Sequence, residues 1–293
     1  MKNIIVVTGG AGFVGSNLIE YLLLKEKKIK IISLDDYSSG SKKNHIKNLR
    51  LRYLKGNTKN ISKILKKYKN KIQTIFHFGE FSRIYQSFVQ MDECINSNTI
   101  GSNEVFTFSL KNKIKLIYSA TSATIGNRGN DKNLSPYSFT KAKNLELLEN
   151  LKKWFNFKYE IIYFYNVYGP KQIKTGKMAT VIGIFEDQYI KGKPLTVVKP
   201  GTQSRRFTHI TDTVKVCYNA WKRNKNIHYS ISHKKSYTIL GVAKMFNSKI
   251  KMLAPRRGER FASALTSMNL SNKVYRFFGR IDLKDYIKEK IRG

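Results

Sequence analysis

Five tyrosines in the sequence are each followed four residues later by a lysine, a spacing that places a phenol and an ammonium one turn apart on a helix. A phenol in water has a pKa of about 10, so it acts as a general base at neutral pH only beside a cation. Each pair could serve proton transfer, although a chain rich in both residues also contains such pairs by chance. The pairs are Tyr21/Lys25, Tyr137/Lys141, Tyr189/Lys193, Tyr218/Lys222 and Tyr286/Lys290.

The context of Tyr137 distinguishes it from the other four tyrosines. Ser135 is a good N-cap residue and Pro136 suits a first helical position, so a helix is predicted to begin there. A predicted strand leads into Thr121, and ligands of parallel sheets bind at the carboxyl ends of the strands. We therefore predict Tyr137 as the catalytic base, Lys141 as the cation that favours its phenolate, and Thr121 as a hydroxyl that steadies the reacting oxygen.

Three glycines follow the first predicted strand at intervals of three residues, within Thr8–Gly15 (TGGAGFVG). Such a turn needs a residue that tolerates a positive φ, and it lets bare backbone approach a pyrophosphate. The helix that follows offers unpaired N–H groups and a partial positive charge to the phosphates. The predicted dinucleotide-binding residues of this segment are Gly9, Gly12, Phe13, Val14 and Gly15.

A carboxylate at the end of the second predicted strand selects between dinucleotides. Asp35 stands twenty residues after Gly15, where it can accept hydrogen bonds from both ribose hydroxyls of NAD and would repel the 2′-phosphate of NADP. Asp36 adds a second negative charge. The sequence therefore predicts NAD as the cofactor.

Strand and helix patterns alternate through the first half, which predicts a parallel sheet with crossover helices. After Pro170 the elements become shorter, and Gly and Pro recur. The predicted fold class is α/β, a Rossmann-type doubly wound parallel sheet with a smaller C-terminal substrate-binding lobe. We expect an NAD-binding domain at 1–165, with a returning segment near 206–230, and a mostly substrate-binding lobe at 166–293. The predicted strands and helices are Asn3–Thr8, Gly12–Lys25, Lys30–Leu34, Leu51–Lys55, Thr74–Phe78, Tyr85–Leu110, Ile114–Ser119, a helix from Pro136 and Tyr159–Tyr165.

These residues resemble the extended short-chain dehydrogenase/reductase family, in particular its nucleotide-sugar epimerases and dehydratases, over nearly the whole chain. Thr8–Gly15 resembles the family's TGGAGFIG, and Tyr137–Lys141 matches its Y-x-x-x-K. Asn166–Pro170 matches its NVYGP, while Gly201–Phe207 and Arg256–Glu259 look like its G-x-x-x-R-D-F and R-P-G-D segments. The resemblance implies further cofactor contacts by Phe78, Gly79, Asn98, Tyr137 and Lys141, and substrate contacts by Thr121, Asn166, Arg205 and Arg256.

Three departures from the family pattern concern the same site. Asn57 stands where an Asp usually meets the adenine amine of the cofactor, and it could still accept that hydrogen bond. Glu80 follows Gly79 where small or apolar residues are usual, so its carboxylate lies either near the cofactor or sugar, or at the rim. The stretch from Thr121 to Tyr137 is shorter than in many relatives, which predicts a more open pocket or a bulkier sugar.

The residues after Thr121 separate the reactions that the resemblance allows. The family's 4,6-dehydratases carry Asp-Glu directly after the catalytic Thr, its uronate decarboxylases carry a Glu two positions after it, and this chain has Ser122 and Ala123. The resemblance thus implies NAD-dependent epimerisation of a nucleotide-diphosphate sugar, at C4 of a UDP-sugar, through a transient keto sugar, serving polysaccharide biosynthesis. A heptose- or uronate-type epimerase and a 4-keto sugar reductase stay open, as does, more distantly, a non-catalytic dinucleotide-binding or nucleic-acid-associated protein.

The charge of the chain is its most unusual bulk property. The 293 residues include 55 Lys and Arg against 19 Asp and Glu, a net charge of +36. Lysine dominates this excess, whereas recognition of phosphates and bases favours the arginine fork. We therefore expect solvated surface charge and no nucleic-acid partner.

The remaining composition limits the compartment and the partners. Two cysteines cannot form a disulfide framework, and no zinc-type spacing occurs, so no metal is expected. The apolar runs are too short to span a membrane, and we expect a cytoplasmic protein without membrane contact. The resemblance implies a homodimer that associates through the helices Tyr85–Leu110 and Tyr137–Phe155.

Overall fold

The strands of the sheet are short apolar runs, and the central ones are buried on both faces, as parallel strands between helices should be. The computed structural model describes residues 2–258 and 274–292, apart from the side chains of 127 and 128. The strands are numbered β1 to β14 along the chain, and eight of them form one parallel sheet in the order β14-β11-β6-β5-β4-β1-β2-β3. These are β1 (Ile4–Thr8), β2 (Lys30–Asp35), β3 (Leu51–Lys55), β4 (Ile72–His77), β5 (Lys115–Thr121), β6 (Tyr159–Phe164), β7 (Val167–Tyr168), β8 (Leu195–Val198), β9 (Ser204–Arg206), β10 (Thr208–His209), β11 (His228–Ser232), β12 (Ser236–Thr238), β13 (Ile250–Leu253) and β14 (Val274–Phe278).

The strand order changes direction beside β1. The chain places β2 and β3 on one side of β1, and β4, β5 and β6 on the other. The carboxyl ends of the strands at such a switch point form the crevice in which open α/β sheets bind ligands. The predicted Rossmann-type α/β fold is confirmed.

Helices cover both faces of the large sheet. On one face, Leu18 of the first helix packs in the same apolar cluster as Val214, and on the other Phe106 packs with Leu148. The helices are α1 (Phe13–Lys25), α2 (Ile61–Ile64), α3 (Ile84–Val89), α4 (Met91–Ile95), α5 (Ser102–Lys111), α6 (Pro136–Phe155), α7 (Val181–Ile190), α8 (Ile210–Arg223), α9 (Ile239–Lys244) and α10 (Leu283–Arg292), with a π-helix at Asn96–Gly101 and 3₁₀ helices at Lys42–Asn44, Thr58–Asn60, Lys66–Lys71, Ser122–Thr124 and Gly126–Asn133.

The prediction of one continuous helix over Tyr85–Leu110 is wrong. The structure divides it at Gln90, where φ and ψ are −121° and 51°, and again at the π-helix before α5. Within that π-helix the side chains of Ser97 and Asn98 both accept a hydrogen bond from the Phe81 N–H, at 3.1 and 2.7 Å. The irregular turns thus occur where the helix holds the loop after β4, and hydrophobic periodicity does not reveal such a demand.

The C-terminal half builds a third apolar cluster, apart from the two that flank the sheet. It includes Tyr168, Phe185, Phe207, Phe246 and Ile287. Three strand pairs belong to this region: β7 with β10 and β8 with β13, which are parallel, and β9 with β12, which is antiparallel. The large sheet also takes β11 and β14 from this half, and α8 contacts α1. The proposed boundary at residue 165 stays a prediction.

Candidate active site

A cavity of about 1210 Å³ opens at the carboxyl ends of the first six strands. Residues of α7, β8 and β9 form its opposite wall, so the large sheet and the C-terminal half both contribute to it. The structure brings nearly all predicted site residues to this cavity: Gly9, Gly12, Phe13, Val14, Gly15, Asp35, Asp36, Asn57, Phe78, Gly79, Thr121, Tyr137, Lys141, Asn166, Arg205 and Arg256 line it.

The glycine turn after β1 is packed too tightly for side chains. Gly9 has a φ of 66°, and a Cβ on it would lie 2.9 Å from the Gly79 nitrogen. A Cβ on Gly15 would lie 2.2 Å from the Gly9 carbonyl oxygen. The hydroxyl oxygen of Thr8 accepts hydrogen bonds from the Phe78 and Gly79 N–H groups at 3.1 and 3.0 Å, which joins the turn to the loop after β4. The result is a wall of bare backbone at the cavity.

The N-terminus of α1 faces the cavity and has no side-chain cap of its own. Its N-cap residue is Gly12, which makes no side-chain capping bond, and its first turn contains no acidic side chain. Phe13 and Val14, in that first turn, line the cavity. Free N–H groups and the positive end of a helix suit a pyrophosphate. This segment therefore fits the predicted dinucleotide.

Asp35 ends β2 in a largely buried position. Its carboxylate accepts hydrogen bonds from the Ala11 N–H at 2.9 Å and the Tyr37 N–H at 2.8 Å. Burial raises the pKa of Asp35, and these backbone hydrogen bonds oppose the rise. Asp36 accepts a bond from the Asn57 amide at 2.8 Å. The three predicted adenosine-side residues are thus held together.

Asn98 does not line the cavity. It is fully buried, and its amide donates to the Phe81 carbonyl at 3.0 Å while its oxygen accepts from the Phe81 N–H. The same amide nitrogen lies 3.3 Å from the Thr140 hydroxyl. Asn98 therefore anchors the loop after β4 through its two hydrogen bonds with Phe81. Its predicted contact with the cofactor stays a prediction.

Tyr137 lies at the start of α6, as predicted, and is largely buried. The helix begins where the Ser135 hydroxyl oxygen accepts a bond from the Ser138 N–H at 3.1 Å. Burial and the charge of Glu80 raise the pKa of Tyr137 to about 12, whereas a hydrogen bond with Thr121 and the charge of Arg83 lower it. The structure thus joins the predicted base to the predicted hydroxyl.

Lys141 lies one turn further along α6 and is also buried. Its ammonium contacts the Glu80 carboxylate and the Ser119 carbonyl oxygen, and lies 4.3 Å from the centre of the Tyr118 ring. The side chains of Lys141 and Glu80 are only 4% and 3% exposed. Burial lowers the pKa of Lys141, and the Glu80 carboxylate raises it. Of the two positions that the sequence leaves open for Glu80, the rim is therefore excluded.

The other four tyrosine–lysine pairs do not line this cavity. Three of them place the lysine nitrogen against the ring of its own tyrosine, at 5.6–5.9 Å from the ring centre: Tyr21/Lys25, Tyr218/Lys222 and Tyr286/Lys290.

The predicted diphosphate ligands lie on the opposite wall. Arg205 is in the middle of β9, and the Asn166 amide donates to the neighbouring Arg206 carbonyl oxygen at 2.8 Å. Arg256 is exposed, and its guanidinium lies 5.3 Å from the centre of the Tyr85 ring. All three predicted residues are thus placed within one cavity with Tyr137.

Sequence reasoning missed Arg83, at the N-cap of α3. Its Nε and Nη2 donate to the Met178 carbonyl oxygen at 3.0 and 2.6 Å, and its Nη1 donates to the Ser82 carbonyl oxygen at 2.9 Å. It lines the cavity, and its charge acts on Tyr137. One arginine is inconspicuous in a chain with 55 basic residues.

The described ranges, 2–258 and 274–292, contain neither a metal-binding cluster nor a membrane-spanning helix. They contain no group of three or more His, Cys, Asp or Glu side chains arranged to hold a metal ion. No helix there is both long and apolar enough to cross a membrane.

Comparison with known proteins places this site in a family. Residues 5–232 match the model of the NAD dependent epimerase/dehydratase family. The chain is 30% identical over 230 residues to a Bacillus subtilis protein described as an uncharacterized UDP-glucose epimerase, covering 72% of this chain and 70% of that one. It is 29% identical over 236 residues to the dTDP-D-glucose 4,6-dehydratase of Dictyostelium discoideum, covering 72% of this chain but only 53% of that protein.

Solved structures share the fold. The UDP-glucose 4-epimerase of Thermotoga maritima, solved with UDP-glucose, superposes with a TM-score of 0.87 at 22% identity, covering 99% of this chain and 97% of that one. The family match extends over most of the chain and includes the glycine turn, Asp35, Tyr137 and Lys141. The protein therefore belongs to the NAD-dependent epimerase/dehydratase family of nucleotide-sugar enzymes, and its cofactor is NAD.

Proposed function

We propose that the protein epimerises a nucleotide-diphosphate sugar, at C4 of a UDP-sugar, through a transient keto sugar. The observation that carries the proposal is the segment after Thr121, because Ser122 and Ala123 line the cavity beside Tyr137 and neither bears a carboxylate. The family resemblance implies that a dehydratase or a decarboxylase would carry an acid there. The remaining groups support removal and return of hydrogen at one sugar carbon.

The residues of the chain divide the proton work between them. Tyr137 takes the proton from the sugar hydroxyl, and Thr121 holds the same oxygen by a hydrogen bond. NAD, held by the glycine turn and Asp35, would supply the acceptor and donor of a hydride at the sugar carbon. Tyr137 then gives the proton back to the oxygen, so the reaction leaves no net oxidation. Return of the hydride to the other face of the keto sugar gives the epimer.

The size and charge of the cavity support a site for two ligands. Its volume of about 1210 Å³ exceeds the ~300–1,000 Å³ usual for one drug-sized ligand. The glycine turn, the start of α1 and Asp35 would hold NAD. Asn166, Arg205 and Arg256 would hold the sugar nucleotide, because a guanidinium fork matches diphosphate oxygens.

A uronate-type epimerase is the second candidate, and Arg83 favours it. No ion pair of Arg83 occurs within residues 2–258 and 274–292, although its charge lies close enough to act on Tyr137. A carboxylate on the sugar would supply the missing partner. With a neutral sugar, the Arg83 guanidinium would keep its hydrogen bonds to the Met178 and Ser82 carbonyl oxygens and gain no carboxylate partner.

The test is incubation of the purified protein and NAD with UDP-, dTDP-, GDP- and ADP-sugars, with and without a uronic acid group. NMR spectra then show whether one ring carbon inverts. Inversion at C4 of a UDP-hexose supports the first proposal, and preference for the uronate supports the second. Loss of water or carbon dioxide from the sugar would contradict both.

We also propose that the protein is a homodimer, as the family resemblance suggests. Support comes from exposed apolar side chains on α3, α4, the π-helix and α6, namely Tyr85, Phe88, Met91, Ile95, Ile100, Phe139, Trp154 and Phe155. The expected cytoplasmic location stays a prediction.

A further inference from the structure

The Glu80–Lys141 ion pair is the most completely enclosed charge pair among the described residues. Its two side chains are 3% and 4% exposed, whereas the Lys143–Glu146 pair on the same helix is 58% and 60% exposed. Lys141 contacts one carboxylate oxygen of Glu80, and the other oxygen accepts hydrogen bonds from three further donors. These are the Ser102 hydroxyl at 2.8 Å, the Tyr118 hydroxyl at 2.9 Å and the Asn144 amide at 3.2 Å.

This network fixes where the lysine charge lies. Lys141 is bound by one carboxylate and one carbonyl oxygen, and Glu80 by four donors from three elements. A buried carboxylate and a buried ammonium in contact carry no net charge as a pair. Tyr137 therefore sees the lysine together with its counter-charge.

The other groups that face this site are few. The Glu80 carboxylate also acts on Tyr137 directly and raises its pKa, whereas the Arg83 guanidinium, at the N-cap of α3, lowers it. His77 contacts the Ser102 hydroxyl at 3.0 Å, and burial lowers its pKa to about 4, so it is neutral at ordinary pH. Burial raises the pKa of Cys94 to about 11, so its thiol is neutral too. Of the cations beside Tyr137, Lys141 is paired with the Glu80 carboxylate. Arg83 has no such carboxylate partner in the part of the chain that the structure describes.

We propose that Glu80 is a positioning residue that holds Lys141 in a neutral pair, so that the ammonium does not by itself drive Tyr137 toward its phenolate form. This rests on the proposed role of Tyr137 as the base. The spacing of Tyr137 and Lys141 predicts the lysine as the activating cation, and the contacts of Glu80 change that expectation. Loss of the carboxylate exposes Tyr137 to the full charge of Lys141.

The direct test is titration of the Tyr137 phenol in the NAD-loaded protein by ultraviolet difference absorbance. The spectrum of each variant is compared with that of the same variant carrying Tyr137→Phe, which isolates this phenol from the other tyrosines. Glu80→Gln should lower its titration midpoint by about one pH unit or more. Glu146→Gln, the same change in the exposed pair of α6, should leave the midpoint in place. An unchanged midpoint in a folded Glu80→Gln protein overturns the proposal.

A double variant covers the case in which a lone buried charge prevents folding. Glu80→Gln with Lys141→Gln removes both charges, and such paired removal is tolerated better than removal of one partner. Its midpoint should stay close to that of the unmodified protein, while Lys141→Gln alone should raise it. A double variant whose midpoint rises as far as that of Lys141→Gln shows that the lysine acted unopposed, and overturns the proposal. These readouts need no sugar, so failure of the sugar panel and failure of this inference are distinguishable.

Discussion

The groups around the Tyr137 phenol shift its pKa in opposite directions. Burial and the charge of Glu80 raise its pKa, and Thr121 and Arg83 lower it. Tyr137→Phe removes only the titratable oxygen, so we expect folding and NAD binding to persist. Turnover of the substrate found in the sugar panel should fall by ~10²–10⁴-fold, as for loss of a general base. Steady-state rates measure this effect.

Tyr21→Phe is the matched control for that experiment. Tyr21 also precedes a lysine by four residues on a helix, but it lies outside the cavity. Its replacement should leave turnover near normal. A Tyr137→Phe enzyme with near-full activity would contradict the assignment of the base.

Asp35 combines a structural and a selective task. Its carboxylate accepts bonds from the Ala11 and Tyr37 N–H groups, and with Asp36 it places negative charge at the end of β2. Asp35→Asn keeps an acceptor oxygen and removes the charge. The preference for NAD over NADP should narrow by about tenfold, the equivalent of ~1.4 kcal/mol. Calorimetric titration with both cofactors measures it.

The control for Asp35 is Asp187→Asn, which breaks an exposed pair with Lys191 on α7. It should bind NAD and NADP as the unmodified protein does. Equal affinity of the unmodified protein for both cofactors would be incompatible with the role assigned to Asp35.

At the scale of elements, the sequence predicts the elements with strong local patterns. The glycine turn, the strand ends and the cap at Ser135 depend on neighbouring residues. The structure has the turn and the cap where expected, and its strands end within two residues of the predicted ends. The π-helix at Asn96–Gly101 holds Phe81 through Ser97 and Asn98, sixteen and seventeen residues away, and hydrophobic period alone does not show it. The role of Glu80 likewise depends on partners from β5, α5 and α6.

The element β9 and the segment after β13 supply the arginines of the opposite wall. Arg205→Ala and Arg256→Ala should each weaken sugar-nucleotide binding while NAD binding stays nearly unchanged. Each loss removes a charge-assisted contact of about 1.5–3 kcal/mol if that contact is desolvated. Calorimetry with UDP and with NAD separates the two effects, and Arg276→Ala on the exposed edge strand β14 is the control. Loss of NAD binding in either variant would contradict the placement of the two ligands.

The sheet also carries two buried histidines, at the end of β4 and the start of β11. Burial lowers the pKa of His77 and of His228 to about 4 each, against about 6.5 in an unfolded chain. The unfolded state therefore binds more protons between these values, and the free energy of unfolding should decrease as the pH falls from about 6.5 to about 4. Each histidine contributes up to about 1.4 kcal/mol per pH unit.

Urea denaturation across that pH range checks the effect. His228→Gln removes one titrating group, so its free energy of unfolding should fall less steeply than that of the unmodified protein below pH 6.5. Above pH 7 the two curves should run parallel. Parallel curves over the whole range would refute a lowered pKa for His228.

At the scale of the whole molecule, some of the 19 acidic residues pair with lysines in the interior, and others, such as Glu146, pair with lysines at the surface. Glu80 pairs with Lys141, while Glu160 is fully buried, contacts Lys115 at 2.7 Å and accepts bonds from the Asn226 and Ile227 N–H groups. The lysine excess is therefore left largely to the surface. Such a surface repels its own copies at low salt, so association of two chains needs an apolar contact that outweighs the charge.

The apolar face on α3, α4 and α6 is where we expect that contact. Phe88, Met91 and Ile95 are 36%, 54% and 36% exposed and follow one another along α3 and α4. Met91→Lys combined with Ile95→Lys adds two charges to this face, so the mass in solution should fall from that of two chains to that of one. Light scattering after size-exclusion chromatography measures it. Leu49→Lys, a change at a fully exposed leucine in the turn before β3, should leave the dimer intact. If the unmodified protein is already a single chain at micromolar concentration, or if the double variant stays a dimer, the apolar face does not join two copies.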